Sequence, residues 1–373
     1  MEVAWRREAE ALKKVRSLNH HHLVCLVAAF KRSGTHFIAL EWAEGGNLRE
    51  FWKMRDATGK ELDKDEVLQY LQQLLGLTDA LKTLHRLELF PRKSTAEEVT
   101  EQLNVPTSVS RATIQHPESS TDPLNGRNMR HGDLKPENIL NFGKEAACLG
   151  RLKISDLGLA KEHDDKTKVR MDTTKTVHGT IRYEAPEVHK LINKEKGRSR
   201  RYDTWSMGCI IFESVIWLLY GQKGLVAFWE NEASIEAPKR DSLYFATDGY
   251  PPTSAHVSEY VSSWMEHMIQ EQKQENSGQS SPMIEDLLTL VQDKLLVVDL
   301  SERGRIYADD LHAEMQKIFQ NANRDSAYVF SGRRLQIPHV LRKVTHDDVL
   351  ATAPTSGQRL EIPTSRDPKV SYV

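Results

Sequence analysis

Residues 130 to 140 read RHGDLKPENIL, which sets an acid (Asp133), a cation two residues on (Lys135) and an amide three further (Asn138) in one short stretch closed by apolar residues. Few chemistries need that set. Phosphoryl transfer is one: a carboxylate takes up or orients a hydroxyl proton, an ammonium steadies the moving phosphoryl group, and an amide oxygen helps to hold Mg²⁺. The plain alternative is a polar surface loop that happens to contain these types, since charged residues are ordinary in loops. The segments downstream of the loop bear on the choice. KISDLGLAK (153–161) is a short apolar strand running into an acid and a glycine, and GTIRYEAPEV (179–188) and YDTWSMGC (202–209) come after it.

Composition narrows the setting. A chain of 373 residues can bury a large core, as one big domain or as two lobes with additions. Lys and Arg total 51 against 53 Asp and Glu, a net charge of −2, and this balance argues against a nucleic-acid partner. Cys25, Cys148 and Cys209 form no CxxC pair, so a disulfide framework or thiolate zinc site is not expected. A reduced, intracellular compartment, cytoplasmic or nuclear, is the simpler reading. The opening MEVAWRREAEALKKV has no apolar h-region and carries Glu2, Glu8 and Glu10, unlike a secretory signal or a transit peptide. CIIFESVIWLLY (209–220) is too short to span a bilayer and is broken by Glu213, so a buried core helix and no membrane partner are expected.

Periodicity places the motifs on elements. From Glu2 to about Val15 the pattern is helical, with Leu12 and Val15 recurring among charged residues. LVCLVAAF (23–30) and HFIALEW (36–42), joined by the turn-forming KRSG, read as an antiparallel pair. AEGGNL (43–48) is a Gly-punctuated link after which a mostly helical region begins, and VLQYLQQLLGLTDALKTLH (67–85) in it reads as an amphipathic helix. Between Arg92 and Arg127 the composition turns to Ser, Thr, Pro, Asn and Glu with little period, as in an inserted, poorly ordered loop. QEQKQENSGQSSP (270–282) reads as a second, shorter loop, and residues beyond about Asn321 as a flexible tail. The triplet His20-His21-His22 is a poor metal site, because adjacent side chains do not converge easily on one ion. Trp42, Trp52, Trp205 and Trp217 read as packing residues.

In order and spacing the quoted segments resemble the eukaryotic protein kinase family, whose catalytic loop, metal-binding DFG segment, APE segment and central helix succeed one another in this way. The resemblance covers roughly Glu8 to Leu311. It implies an α+β, bilobal protein kinase-like fold with an incomplete small β lobe and a mainly helical large lobe. Residues 1–42 would be the partial small lobe, 43–320 the large lobe with its insert at about 92–127, and 321–373 the tail. The implied activity is transfer of the ATP γ-phosphate to Ser or Thr hydroxyls of a protein substrate, with ATP and Mg²⁺ as cofactors. DLKPEN and GTIRYEAPE resemble the Ser/Thr branch.

Carried over residue by residue, the resemblance makes Asp133 the catalytic base, Lys135 the phosphate-stabilising cation, Asn138 a Mg²⁺ ligand and Asp156 the main one. Leu140 would floor the adenine pocket, the backbone at Glu41 and Ala43 would meet the adenine edge, and Leu40 would stand at the gatekeeper position. Glu8 would pair with a strand lysine, Asp203 would anchor the catalytic loop, and Thr180 would hydrogen-bond near Asp133 and Lys135. Glu187 would pair with a buried arginine; Arg305 fits the register and Arg303 the spacing from Asp299. Leu12, Leu26, His131 and Leu157 match the apolar column that joins the lobes.

Three departures stand out. HGD replaces the usual HRD, so Gly132 stands where an arginine would grip an activation-loop phosphate. Small-molecule phosphotransferases of the aminoglycoside and choline type use HGDxxxxN loops, although Lys135, APEV and YDTWSMGC follow the protein-kinase pattern. Leu157 replaces the usual Phe. No glycine-rich loop or strand lysine precedes Glu8, which predicts an N-terminally truncated small lobe with impaired phosphate positioning and keeps open a pseudokinase or scaffold role.

Overall fold

Glu2–Ser17 form helix α1, with Leu12 and Val15 buried at the spacing seen in the sequence. The computed structural model describes residues 2–87, 129–156, 182–188, 199–230, 242–249, 253–273 and 281–338. Strands β1 (Leu26–Arg32) and β2 (Thr35–Leu40) pair antiparallel and pack against α1. Their turn is tighter than KRSG suggests. Lys31 and Arg32 still pair with His36 and Thr35, and Ser33 and Gly34 alone make the reversal, at φ 49° and 81°. Two residues at positive φ match the twist of a hairpin. Trp42, expected to pack, is 83% exposed because it lies past the end of β2 in an irregular link, whereas Trp52, Trp205 and Trp217 are buried.

Helices α2 (Leu48–Ala57) and α3 (Lys64–Arg86) open on capping boxes, Asn47 with Glu50 and Asp63 with Glu66. Each box satisfies two N–H groups that the first turn leaves unpaired. Strands β3 (Ile139–Asn141) and β4 (Leu152–Ile154) form a second antiparallel pair. The segment before β1 is tied to β4 by Val24 N to Ile154 O (3.0 Å) and Ile154 N to His22 O (2.9 Å). Helix α4 (Arg201–Glu230), kinked at Gly221, is the centre of the core: all residues from Tyr202 to Gly221 are buried. Among the described residues it alone is long and apolar enough to cross a membrane, and 83% of its apolar window is buried inside the protein. A helix apolar all round belongs in an interior. Strands β5 (Phe245–Asp248) and β6 (Ser254–Val257) and helices α5 (Glu259–Lys273), α6 (Pro282–Leu290) and α7 (Ala308–Arg324) complete the order.

Two expected boundaries move. The segment expected as a loop from 270 is helical as far as Lys273, and the buried Gln272 accepts a hydrogen bond from Ser281 N at 3.0 Å. The tail expected from 321 begins inside α7, and the chain beyond the helix is packed as far as it is described. Tyr328, Val329 and Phe330 are buried, Lys64 Nζ donates to Ser326 O (2.6 Å), and Leu335 N donates to Leu219 O (2.7 Å). Arg334 pairs with Asp56 and lies over the Trp217 ring. Three apolar residues in a row show no period, so their burial leaves no trace in a periodicity search.

Arg305 and Glu187 tie the end of the large helical region to the APE segment. The pair is buried and bidentate, Nη1 to Oε1 at 2.7 Å and Nη2 to Oε2 at 3.0 Å, and Arg305 Nε donates to Val297 O at 2.8 Å. Arg303 is exposed and plays no part. Removing one member of a buried pair strands the other charge, so Arg305→Ala should cost about 3–5 kcal/mol in denaturant unfolding. The Arg305→Ala, Glu187→Ala double variant should lose clearly less than the sum of the singles.

The insert expected at 92–127 lies outside the described residues. Its flanks do not: Met129 N donates to Leu87 O at 3.0 Å, so the chain leaving α3 and the chain entering the catalytic loop lie side by side. A few residues can close that gap. Replacing 92–127 with a short Gly-Ser link should leave the melting temperature within about 2 °C; a larger fall in a thermal melt would show that the segment packs.

Candidate active site

Asp203, in the first turn of α4, is fully buried and holds the catalytic loop by its backbone. It accepts from His131 N and Gly132 N, each at 2.8 Å, and from His85 Nε2 at 2.8 Å. Burial opposes its charge, but the His85 hydrogen bond and the charges of His85, His131 and Arg130 outweigh that and hold the carboxyl below its usual range. Gly132 sits at φ 79°, where a side chain would be strained, so glycine lets the loop turn both amides onto one carboxylate. His131 is fixed as well: its Nδ1 accepts from Asp133 N (3.2 Å), so Nε2 carries the proton donated to Ser155 O (2.7 Å).

The acid, cation and amide of RHGDLKPENIL come together on this frame. Lys135 Nζ is 2.8 Å from Asp133 Oδ2, and Asn138 Nδ2 donates to Asp133 O at 2.7 Å and to Oδ2 at 3.2 Å. Asp133 and Lys135 are largely buried, at 10% and 13% side-chain exposure. Ser155 N and Oγ both donate to Asn138 O, at 2.8 and 2.9 Å, so the next residue, Asp156, is held beside Asn138. Asp156 is exposed and sits at φ 58°, an uncommon conformation outside glycine that clusters at functional sites.

Of the residues expected around adenine, Leu140 and Glu41 are linked through Lys153. Leu140 in β3 lies opposite Lys153 in β4 and bridges to Asn47, at the end of the link that contains Ala43. Lys153 Nζ holds both oxygens of Glu41, at 2.6 and 2.7 Å, and lies 4.4 Å from the Phe142 ring centre. Glu41 N is spent on Cys25 O (3.1 Å), which leaves its carbonyl as the backbone group for a ligand. Leu40, at the end of β2, is 36% exposed. Glu8 lies on α1, but its side chain, like Thr180 and Leu157, is outside the described residues.

Sequence reasoning missed the Glu41–Lys153 pair and the part of His85, which no local pattern marks. It also missed a network beside the catalytic loop. Arg49 donates from Nε to Glu137 Oε1 (2.5 Å) and from Nη2 to Tyr183 Oη (2.7 Å). Tyr183 Oη donates to Glu213, with contacts of 2.8 and 3.0 Å, and Trp229 Nε1 and Tyr244 Oη donate to Glu213 Oε1 at 2.9 and 3.1 Å. Burial, then the Glu213 charge, pushes the Tyr183 hydroxyl well above its usual range, so it stays a donor. An acid inside the greasy run at 209–220 was the available signal, since a buried charge requires partners.

A sequence model of the protein kinase domain matches residues 86–288, more than half of the chain. The probable serine/threonine-protein kinase nek3 of Dictyostelium discoideum is 24% identical over 293 residues, 78% of this chain and 20% of that protein. The serine/threonine-protein kinase cds1 of Schizosaccharomyces pombe is 28% identical over 211 residues, 56% of this chain and 33% of that protein. The human serine/threonine-protein kinase tousled-like 1 is 31% identical over 148 residues, covering 39% and 18%. The matched regions span 20% to 43% of the first relatives' lengths. With its catalytic loop, the segment after it and its central helix inside the matched domain, the chain belongs to the protein kinase family, in the serine/threonine branch.

Proposed function

We propose that this chain catalyses transfer of the ATP γ-phosphate to a Ser or Thr hydroxyl of a protein substrate. The observation that carries the reading is the cluster of Asp133, Lys135 and Asn138 on a loop fixed by Asp203. Among the described residues, the contacts to the Asp133 carboxylate fall on Oδ2, so Oδ1 is the oxygen left to take up the hydroxyl proton. Lys135 Nζ, on the same carboxylate, is placed to meet the oxygens of the moving phosphoryl group. Asn138 spends its Nδ2 on Asp133, which leaves Oδ1 as an open acceptor, and the exposed Asp156 carboxylate adds a second oxygen donor. Such an oxygen pair suits Mg²⁺, which would supply neutralisation of the phosphate charge. Leu140 would floor the adenine site, the Glu41 carbonyl and Ala43 backbone would read its edge, and Leu40 would limit its depth.

Radiolabelled ATP turnover with Mg²⁺ on a generic Ser/Thr substrate is the test. Asp133→Asn should lower the rate about 10²–10⁴-fold, the usual worth of a general base. Turnover independent of Asp133, or none above background, would count against the enzyme reading and favour a scaffold. In parallel, Asp156→Ala should weaken ATP binding in calorimetry with Mg²⁺ present and leave it unchanged in EDTA.

Gly132 offers no guanidinium to a phosphate on the activation segment. Converting Thr173, Thr174 and Thr176 together to Ala should therefore leave the rate within about twofold. A collapse of activity in the triple variant would refute this independence.

A further inference from the structure

The His20–His22 triplet has no part in the proposed chemistry, yet it lines a cavity of about 450 Å³ together with Asp79, Arg151 and His312. None of these residues belongs to the candidate active site. Asn19, at φ 47°, turns the chain after α1, and the His20 and His22 rings lie 6.1 Å apart with their planes tilted by 56°. His20 Nε2 meets Asp79 Oδ2 on α3 at 3.1 Å. His22 Nδ1 donates to Leu152 O at 2.7 Å, and exposed His21 lies with its Nδ1 3.5 Å from Arg151 Nη1. Gly76 makes room for this arrangement: a Cβ there would fall 2.2 Å from His22 Nε2. From α7, His312 brings Nε2 to 3.5 Å from Asp79 Oδ1 and Nδ1 to 3.4 Å from Thr78 Oγ1.

The charges do not balance within the cavity. Asp79 is its one lining carboxylate, and both oxygens are engaged, Oδ1 by Lys82 Nζ at 2.5 Å and Oδ2 by His20. Asp309, the acid on α7 that acts on His312, is paired with Arg86. Arg151 has no carboxylate partner among the described residues. Its guanidinium therefore adds positive potential beside four imidazoles. His22 is held below its ordinary pKa by burial first, against its bond to Leu152, and then by the charges of His20, Arg151 and His21. His312 is lowered by burial and then by Lys82, with Asp79 and Asp309 opposing. His22 thus lies half-buried beside a guanidinium and two other imidazoles, surroundings in which an anion would be welcome.

We propose that this cavity binds a phosphate-class oxyanion, with the exposed Arg151 and His21 as its donors and the imidazoles of His22 and His312 lining it. A bound anion favours the protonated imidazoles, so binding takes up protons and tightens as pH falls; by linkage it raises the pKa of His22 and His312. The sign is opposite to that of the free protein, where the lowered His22 and His312 contribute stability that is lost as pH falls below the unfolded histidine value of about 6.5.

The test follows the ring signals of His22 and His312 by NMR in the full chain, with inorganic phosphate or O-phosphoserine added and chloride at matched ionic strength as control. Phosphate bound at Asp133 and Lys135 would leave those rings unmoved, which separates this site from the catalytic one. The expected result is a saturable shift and, with sulfate as the oxyanion whose charge does not change over this range, a dissociation constant that falls about tenfold between about pH 7.5 and about pH 6, the worth of one pKa unit. Arg151→Ala should abolish it, and His21→Ala, also at an exposed position, should weaken it. A tighter response to phosphoserine would assign the natural ligand to a phosphorylated residue, and a tighter response to inorganic phosphate would assign it to a free anion. Equal shifts with chloride, shifts that survive both variants, or weaker sulfate binding at low pH would overturn the proposal.

Discussion

A single buried carboxylate organises the candidate site. Asp203 has no solvent to stabilise its charge, so the three donors it meets must do so, and they come from two segments: the last turn of α3 through His85, and the loop itself through His131 N and Gly132 N. Each donor is thereby held in place, because losing it would leave a charge unsolvated in the core. The loop geometry follows from this demand. His131 is set by its own Nδ1 and Nε2 bonds, and Asp133, Lys135 and Asn138 follow it in the chain.

The same device recurs along α4. Its surroundings are apolar enough that the helix would pack without any acid, yet Asp203 and Glu213 are fully buried in it. Apolar side chains would bury surface equally well, but they would not select one position for a loop. Glu213 collects Tyr183, Trp229 and Tyr244, and through Tyr183 it reaches Arg49 and Glu137 of the catalytic loop. Glu187, beyond Tyr183, is held by Arg305. Two stretches that differ in sequence position, the catalytic loop and the segment around Tyr183, are thus fixed against one helix by directional contacts. Hydrophobic burial supplies cohesion, and the buried acids supply register.

What could be read from sequence divides along physical lines. Helices α1 and α3 and the core helix were legible because burial of one face, or of all faces, writes a period or a run into the sequence. Asp133, Lys135 and Asn138 were legible as a set because their spacing on one loop is local. Contacts between residues far apart in the chain were not. Nothing near Glu41 announces Lys153, and only the register of RIYADDL favoured Arg305 over the neighbouring Arg303. The histidine triplet was read as a poor metal site because adjacent side chains do not converge easily on one ion; the partners they find, Asp79, Leu152 and Arg151, lie on segments the sequence does not relate to them. The packed stretch around Phe330 failed for another reason: three buried residues are too few to show a period.

Gly132 shows how these constraints combine. In the resemblance the missing arginine is a loss of one grip on a phosphate. In the structure, position 132 contributes through its backbone, since its amide is one of the two that Asp203 collects, at φ 79°. A side chain at that φ would be strained, whereas glycine adopts it freely. The loop is therefore held by groups that remain present whatever the state of the threonines at 173, 174 and 176. An arginine at this position would give the activation segment a partner, but the loop's own position would still come from the Asp203 carboxylate and its two amides.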